Sequence, residues 1–294
     1  MKKTIILIIV LLSILLLASC SKPQSGSKEK TLYGSWKASD KDDVRYILGK
    51  DKSLCIIEYK GRFLYDCKFG SFTLNDSKVI FSIDGNNDIY EYEFFDDAVT
   101  LKDERETIVL NRIDDISVQY GSSIGDGIYA DEDEEWFVLV DGDKFIGIEI
   151  DYGIPSRLVV SKLDRENSTV PSAEPDPNTK KKINFKVLVI DDVLYLNSGE
   201  SFTLVDSSPV SKDNIAGEWL NYDGRLSFAP TGAFYLYGSI SGKYSFESGQ
   251  LVLSCDGKEY RPKCVRFGEY LLIYDLSGIA PSGTFGNYGI FHHM

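Results

Sequence analysis

Along most of the chain, short stretches alternate apolar and polar residues, as in Val79/Phe81/Ile83, Tyr90/Tyr92/Phe94 and Leu251/Leu253. A period of two is that of a strand with one face buried, and no stretch sustains the 3.6 period of an amphipathic helix. Turn residues separate these stretches at intervals of about 8 to 12 residues. Asp84-Gly85, Asp141-Gly142 and Asp256-Gly257 carry the residue types that tolerate positive φ in tight hairpins. The pattern predicts an all-β chain of antiparallel, meandering hairpins.

The pattern also repeats. Gly34-Ser35-Trp36 recurs as Gly217-Glu218-Trp219, and the segment from Gly70 to Gly85 aligns without a gap on the segment from Gly242 to Gly257. A weaker middle copy has Gly127-Ile128-Tyr129 in place of the Gly-x-Trp. Its Val189-Ile190-Asp191-Asp192-Val193-Leu194-Tyr195-Leu196 echoes Phe94-Phe95-Asp96-Asp97-Ala98-Val99-Thr100-Leu101. Three tandem β units are expected, over residues 31–116, 117–210 and 211–294, each of about 85 residues and able to enclose one small core. Residues 165–182, with Pro171, Pro175, Pro177 and the run Lys180-Lys181-Lys182, interrupt the middle unit. Their composition predicts a flexible loop, the first target of a protease.

Ahead of the units lie Lys2 and Lys3, an apolar run from Ile5 to Leu17, and Leu17-Ala18-Ser19-Cys20. The run is shorter than the roughly 20 residues a membrane-spanning helix needs, and it reads as the core of a secretory signal. Its end resembles the lipobox of bacterial lipoproteins. That resemblance implies removal of residues 1–19 and attachment of acyl chains (diacylglycerol and an N-acyl group such as palmitate) to Cys20. The alternative is an ordinary cleaved signal followed by an incidental cysteine. Ser21 stands where an aspartate retains many lipoproteins at the inner membrane, so the same resemblance implies export to the outer membrane or cell surface. Residues 20–30 then form the lipidated end and a polar, flexible tether.

The units themselves resemble the lipocalin-like and related small β domains of bacterial lipoproteins. The residues that carry this are the opening Gly-x-Trp, the paired strands Tyr46-Ile47-Leu48 with Leu54-Cys55-Ile56 and Leu226-Ser227-Phe228 with Phe234-Tyr235, and the later Asp-Gly hairpin. The resemblance implies that Trp36 and Trp219 pack at a closed barrel end rather than against a ligand. Tyr129 departs from the pattern, which puts closure of the middle unit in question.

The formal charge of -13 becomes -15 once Lys2 and Lys3 leave with the signal, which disfavours nucleic acid as a partner. With Cys20 lipidated, Cys55, Cys67, Cys255 and Cys264 remain as an even set in an exported chain, candidates for disulfides. A three-residue loop at Lys60-Gly61-Arg62 sets Tyr59 opposite Phe63 and Cys55 opposite Cys67. A tight turn at Gly257-Lys258 leaves Cys264 about four residues, roughly 13 Å, from Cys255, so that pair requires a wide loop, and pairing across the two groups stays open.

His292 and His293, the two histidines, stand at the extreme C-terminus and read as a frayed end. Asp131-Glu132-Asp133-Glu134-Glu135 lacks the glycine-bearing loop of an EF-hand and reads as a solvated charge run rather than a calcium site. No nucleophile elbow, P-loop or dinucleotide fingerprint occurs, and Ser282 to Gly289 reads as a last turn and edge strand. No catalytic residue, metal or cofactor is expected. The third unit is rich in tyrosine, with Tyr235, Tyr237, Tyr244, Tyr270 and Tyr274 close together, and Tyr235 and Tyr237 share one face of a strand and offer a stacking surface for a sugar or a partner protein. The expectation is a non-enzymatic, membrane-tethered interaction module for an envelope protein or glycan. A lipocalin-like carrier of a small apolar ligand is the alternative, against which the shortness of each unit argues.

Overall fold

The computed structural model describes residues 31–41, 43–175, 177–221, 224–236, 239–275 and 288–294. The signal, Cys20 and the tether lie outside them, as does Tyr237. Among the described residues the chain is all-β apart from single helical turns, and the strands form three tandem antiparallel sheets.

The first sheet is a closed barrel of β1 (Gly34–Ala38), β2 (Val44–Leu48), β3 (Ser53–Lys60), β4 (Phe63–Asn75), β5 (Lys78–Ile83), β6 (Asn86–Phe95), β7 (Ala98–Lys102) and β8 (Thr107–Arg112), with β8 returning to pair β1. Alternation decides what goes inside: Trp36, Tyr46, Leu54, Phe72, Phe81 and Leu110 fill the interior. The second sheet runs in the order β13 (Ile154–Lys162), β12 (Lys144–Asp151), β11 (Trp136–Asp141), β10 (Gly127–Ala130), β17 (Ser201–Val205), β16 (Val193–Leu196), β15 (Asn184–Ile190). Beyond β15, two short strands share one edge: β14 (Thr169–Pro171) pairs its first half and β9 (Val118–Tyr120) its second. The third sheet curls through β18 (Ser207–Pro209), β25 (Lys263–Phe267), β26 (Tyr270–Tyr274), β27 (Tyr288–His293), β19 (Gly217–Asn221), β20 (Gly224–Phe228), β21 (Ala233–Leu236), β22 (Ile240–Glu247), β23 (Gln250–Cys255) and β24 (Lys258–Tyr260).

The repeat has a structural counterpart. In both outer units the tryptophan of Gly-x-Trp is buried, 2% exposed for Trp36 and 0% for Trp219. Each indole Nε1 donates to the carbonyl four residues earlier, Leu32 O and Ile215 O, at 2.8 Å. An arginine guanidinium lies over each ring, Arg112 at 4.9 Å and Arg266 at 5.6 Å. Gly70 and Gly242 are equivalent too. A Cβ on either would collide with the carbonyl oxygen of a neighbouring strand, Ser82 or Ser254, so a bare backbone lets the strands approach. Tyr129, 3% exposed, occupies the same place in the middle unit, and there Arg165 Nη1 donates to Ile124 O at 2.7 Å to tie down the preceding segment.

The units pack on one another through the outer faces of their sheets. Cys55, Ile57, Tyr59, Leu64 and Cys67 of the first barrel meet Leu188 and Ile190 of the second sheet, with Phe69 stacked on Tyr120 at 4.3 Å. Ile128, Phe137, Leu139, Ile146 and Ile148 meet Phe267, Leu272, Tyr274 and Ile290 of the third. Two ion pairs flank that second contact, Lys144 to Asp275 at 2.7 Å and Lys263 to Asp141 at 2.8 Å.

Several expectations are corrected. The β3–β4 hairpin turns on two residues, Gly61-Arg62, with Lys60 opposite Phe63, and a bulge follows between Glu58 and Tyr59. The shift sets Cys55 against Phe69 and Cys67 against Ile57, a diagonal rather than a directly opposed pair. Cys264 faces Ile273 and Cys255 faces Lys258, and among the described residues all four cysteines are free thiols. The expected loop of 165–182 supplies strand β14, because Val170 turns its side chain into the core and Asp164 Oδ1 accepts from Glu166 N and Asn167 N to close a turn before it. Ser207–Pro209 joins the third sheet rather than the second. The C-terminal residues are neither frayed nor an edge: β27 lies between β26 and β19, Ile290 and Phe291 are buried on opposite faces, and His293 packs edge-on against Trp219 at 4.7 Å.

Candidate ligand-binding site

The inner face of the middle sheet divides into a packed end and an open end. At the packed end Ile124, Tyr129, Val140, Leu163, Val189 and Leu194 are buried together. Arg165 reaches across to the Gly142 and Ile124 carbonyls, and Ser168 bonds both Gly121 N and Val187 O. Away from this plug the strands diverge around a cavity of ≈ 700 Å³, within the range of small-molecule pockets.

Its walls come from alternate positions of each strand. Trp136 and Val138 project from β11, Phe145 from β12, Val159 from β13, Val170 from β14, Phe185 from β15, Leu196 from β16 and Phe202 from β17. Gly147 sits on the inner face of β12, between Phe145 and Glu149, paired with Val159. Its neighbours Ile146 and Ile148 point the other way, into the contact with the third unit. A side chain built on Gly147 would first meet Val159 Cβ at 3.9 Å, an ordinary contact, so the missing side chain leaves room rather than avoiding a clash.

The sheet is not sealed between β13 and β14. Ser161 Oγ donates to Pro171 O at 3.3 Å, and Asp164 pairs with Thr169 in a lone bridge. The polar groups gather at the mouth. Asp131, Glu132 and Asp133 lie on the turn before Trp136, Glu200 on the turn before β17, and Arg157 on β13. Asp131 Oδ1 accepts from Glu135 N at 2.9 Å and Trp136 N at 3.0 Å, which fixes the turn. Arg157 is within 3.5 Å of Glu174. Arg62 and Phe63, from the β3–β4 hairpin of the first unit, complete the mouth.

The residues singled out in the sequence fall elsewhere. Tyr235 is 52% exposed on the outer face of the third unit, with Phe234 and Leu236 turned into its core. Tyr244 belongs to that core, its hydroxyl donating to Ala229 O at 2.9 Å, and Tyr270 and Tyr274 are taken up by the contact with the middle unit. The thiols are shielded: burial pushes the pKa of Cys67 up to about 12 and that of Cys264 up to about 12, and raises that of Cys55 as well. Among the described residues no group of histidine, cysteine and carboxylate side chains is arranged to hold a metal ion. The cavity residues that sequence reasoning missed had one signal, Gly147 on the inner face of a strand otherwise built of large residues.

Comparison with protein-family models gives no matching family, and comparison with curated proteins gives no match.

Proposed function

We propose that the chain is a lipid-anchored, extracytoplasmic binding protein whose middle unit holds a small, mainly apolar ligand. The cavity carries this reading: its aromatic and branched walls offer apolar contact, and its charged groups gather at the mouth, the division of labour that suits binding and orientation. The role is non-enzymatic. Ser161 and Ser172, which line the cavity, donate their hydroxyls to the Pro171 and Glu174 carbonyls rather than to a base. Titration with an apolar fluorescent probe such as N-phenyl-1-naphthylamine tests the site. One saturable site per chain, lost in Gly147→Leu, is the expected result, and partition without saturation refutes it.

The anchor is Cys20, supported by the short apolar run before it and the tether after it. It holds the chain in the cell envelope, at the outer membrane or cell surface, with the three units facing away from the lipid. Cells fed a tagged fatty acid should label the wild type; a Cys20→Ala protein that still carries label rules the anchor out.

Docking to an envelope protein or glycan is a second reading, and Tyr152 favours it. This residue tips the β12–β13 hairpin with φ 50°, a left-handed conformation costly for a bulky side chain, and it is 97% exposed. Loss of envelope retention in a Tyr152→Asn, Cys20→Ala protein relative to Cys20→Ala alone is the outcome this reading requires.

A further inference from the structure

The mouth of the middle unit's cavity is built partly by its neighbour. Arg62 and Phe63 belong to the first barrel by sequence and strand pairing, yet both line the cavity. Phe63 is 52% exposed, and its ring abuts the turn before β17, where a Cβ on Gly199 would lie 4.0 Å from Phe63 Cδ1. Arg62 spans the opening to Glu132 at 3.7 Å. The hairpin is held in place well behind its tip, where Tyr59 meets Tyr195 edge-on at 6.2 Å and Lys186 Nζ reaches Asp66 at 3.1 Å and the Cys67 carbonyl. A half-exposed phenylalanine over an apolar cavity is a contact waiting for an apolar partner.

The charge at the mouth is uneven. Four lining carboxylates, Asp131, Glu132, Asp133 and Glu200, face two guanidiniums, and each guanidinium already has a carboxylate partner. Trp136 lies beside the carboxylates, and an indole face attracts cations.

We infer that the site is completed across the unit boundary: Arg62 and Phe63 form a lip over the middle unit's cavity, and the completed mouth selects an amphiphile with a cationic head over one with an anionic head. This rests on the middle-unit reading above and adds to it the contribution of the first unit and the sign of the head group. Phe63 covers the part of the apolar body nearest the opening, and the head remains in water among the carboxylates.

The test uses three probes that share a dodecyl chain, each kept below its micellar concentration: dodecyltrimethylammonium, dodecyl maltoside and dodecanoate. Calorimetric titration of the purified mature chain should rank them in that order, with about a 3- to 10-fold step between cation and anion, because the carboxylates are solvated and their attraction is screened. Phe63→Ala should weaken all three by about 5-fold without changing the order, since it removes apolar contact alone. Asp133→Asn with Glu200→Gln should flatten the order and leave the maltoside unchanged. Equal circular dichroism spectra and melting curves establish that the variants are folded, and Arg62→Ala, which frees Glu132, provides an independent check by strengthening the cation. An anion bound as tightly as the cation, or Phe63→Ala indistinguishable from wild type, overturns the inference while the cavity remains a binding site. A wild type that binds none of the three overturns both.

Discussion

Replacing Gly147 with leucine should make the protein more stable and close its cavity to an apolar probe. The glycine lies on the inner face of β12 with nothing nearer to a built Cβ than Val159 Cβ at 3.9 Å and Val159 O at 4.0 Å. Its φ lies outside the left-handed region, so a side chain is not strained there. Two gains follow. A residue other than glycine in a strand interior recovers about 0.5–1 kcal/mol of chain entropy. A leucine buried among Phe145, Val159 and Val138 contributes about 1.5–3 kcal/mol at full burial, and less here because the cavity opens to solvent. A net gain of about 1–3 kcal/mol is therefore expected, against the usual direction for a core substitution. Urea unfolding measures it, as the shift in midpoint multiplied by m, with m unchanged. In the same preparation, apolar-probe binding should fall by at least about 10-fold, since the new side chain occupies the space that a ligand body would take. A loss of about 1 kcal/mol or more would show that the space is not there. Unchanged binding would show that the ligand lies elsewhere.

Other substitutions probe the frame around the site. Gly70→Ala and Gly242→Ala should each cost about 1–3 kcal/mol in thermal or urea unfolding, because the added methyl runs into the Ser82 or Ser254 carbonyl; a neutral effect at either would break their equivalence. Phe137→Ala, at the contact with Phe267 (5.0 Å between centroids), should cost about 3–5 kcal/mol and loosen the junction of the second and third units, seen as amide exchange rising on both sides of it. Protection lost on one side alone would refute a shared interface. Cys67 is neutral in the fold and ionises at about 12, against an ordinary value of 9.0. Its contribution is therefore complete below pH 9 and lost as pH rises from there toward 12, at up to about 1.4 kcal/mol per pH unit. The alkaline slope of stability should be shallower in Cys67→Ala, and an identical slope contradicts the burial argument. Deleting residues 290–294 should unfold the third unit in circular dichroism, since Ile290 and Phe291 are both fully buried.

Strand content, hairpin turns and the threefold repeat were legible in the sequence because each is a local pattern. Alternation sorts side chains between two faces, and Asp-Gly tolerates the positive φ of Asp84-Gly85 and Asp256-Gly257. The union of the units was also written there, in a different period. Phe137-Val138-Leu139-Val140, Val187-Leu188-Val189-Ile190 and Leu271-Leu272-Ile273-Tyr274 are unbroken apolar runs, buried throughout. A strand that reads this way is covered on both faces, and each of these has one face in its own core and the other against a neighbouring unit.

The register of the β3–β4 hairpin was not legible, because neither the two-residue turn nor the bulge at Glu58/Tyr59 has a signature in the sequence; each shifts the pairing by one, and together they move Cys67 from Cys55 to Ile57. The cavity was missed for a related reason. A unit of about 85 residues was expected to be too short to hold a roomy interior, yet nine strands are reached by making several of them short, β9, β14 and β10 among them. The first unit then supplies part of the mouth that the second lacks. The role of the C-terminal residues was hidden in their position: Ile290-Phe291 is a short apolar pair with one residue for each face, and its place between β26 and β19 makes the strand central.

Native mass spectrometry of the chain expressed with its own leader and purified in mild conditions reads out a ligand in the middle unit. The expected spectrum carries a mass excess matching one small molecule per chain that disappears on denaturation and is absent from Gly147→Leu prepared in the same way. A wild type of bare polypeptide and anchor mass, or an excess carried equally by Gly147→Leu, would contradict a ligand site in the middle unit.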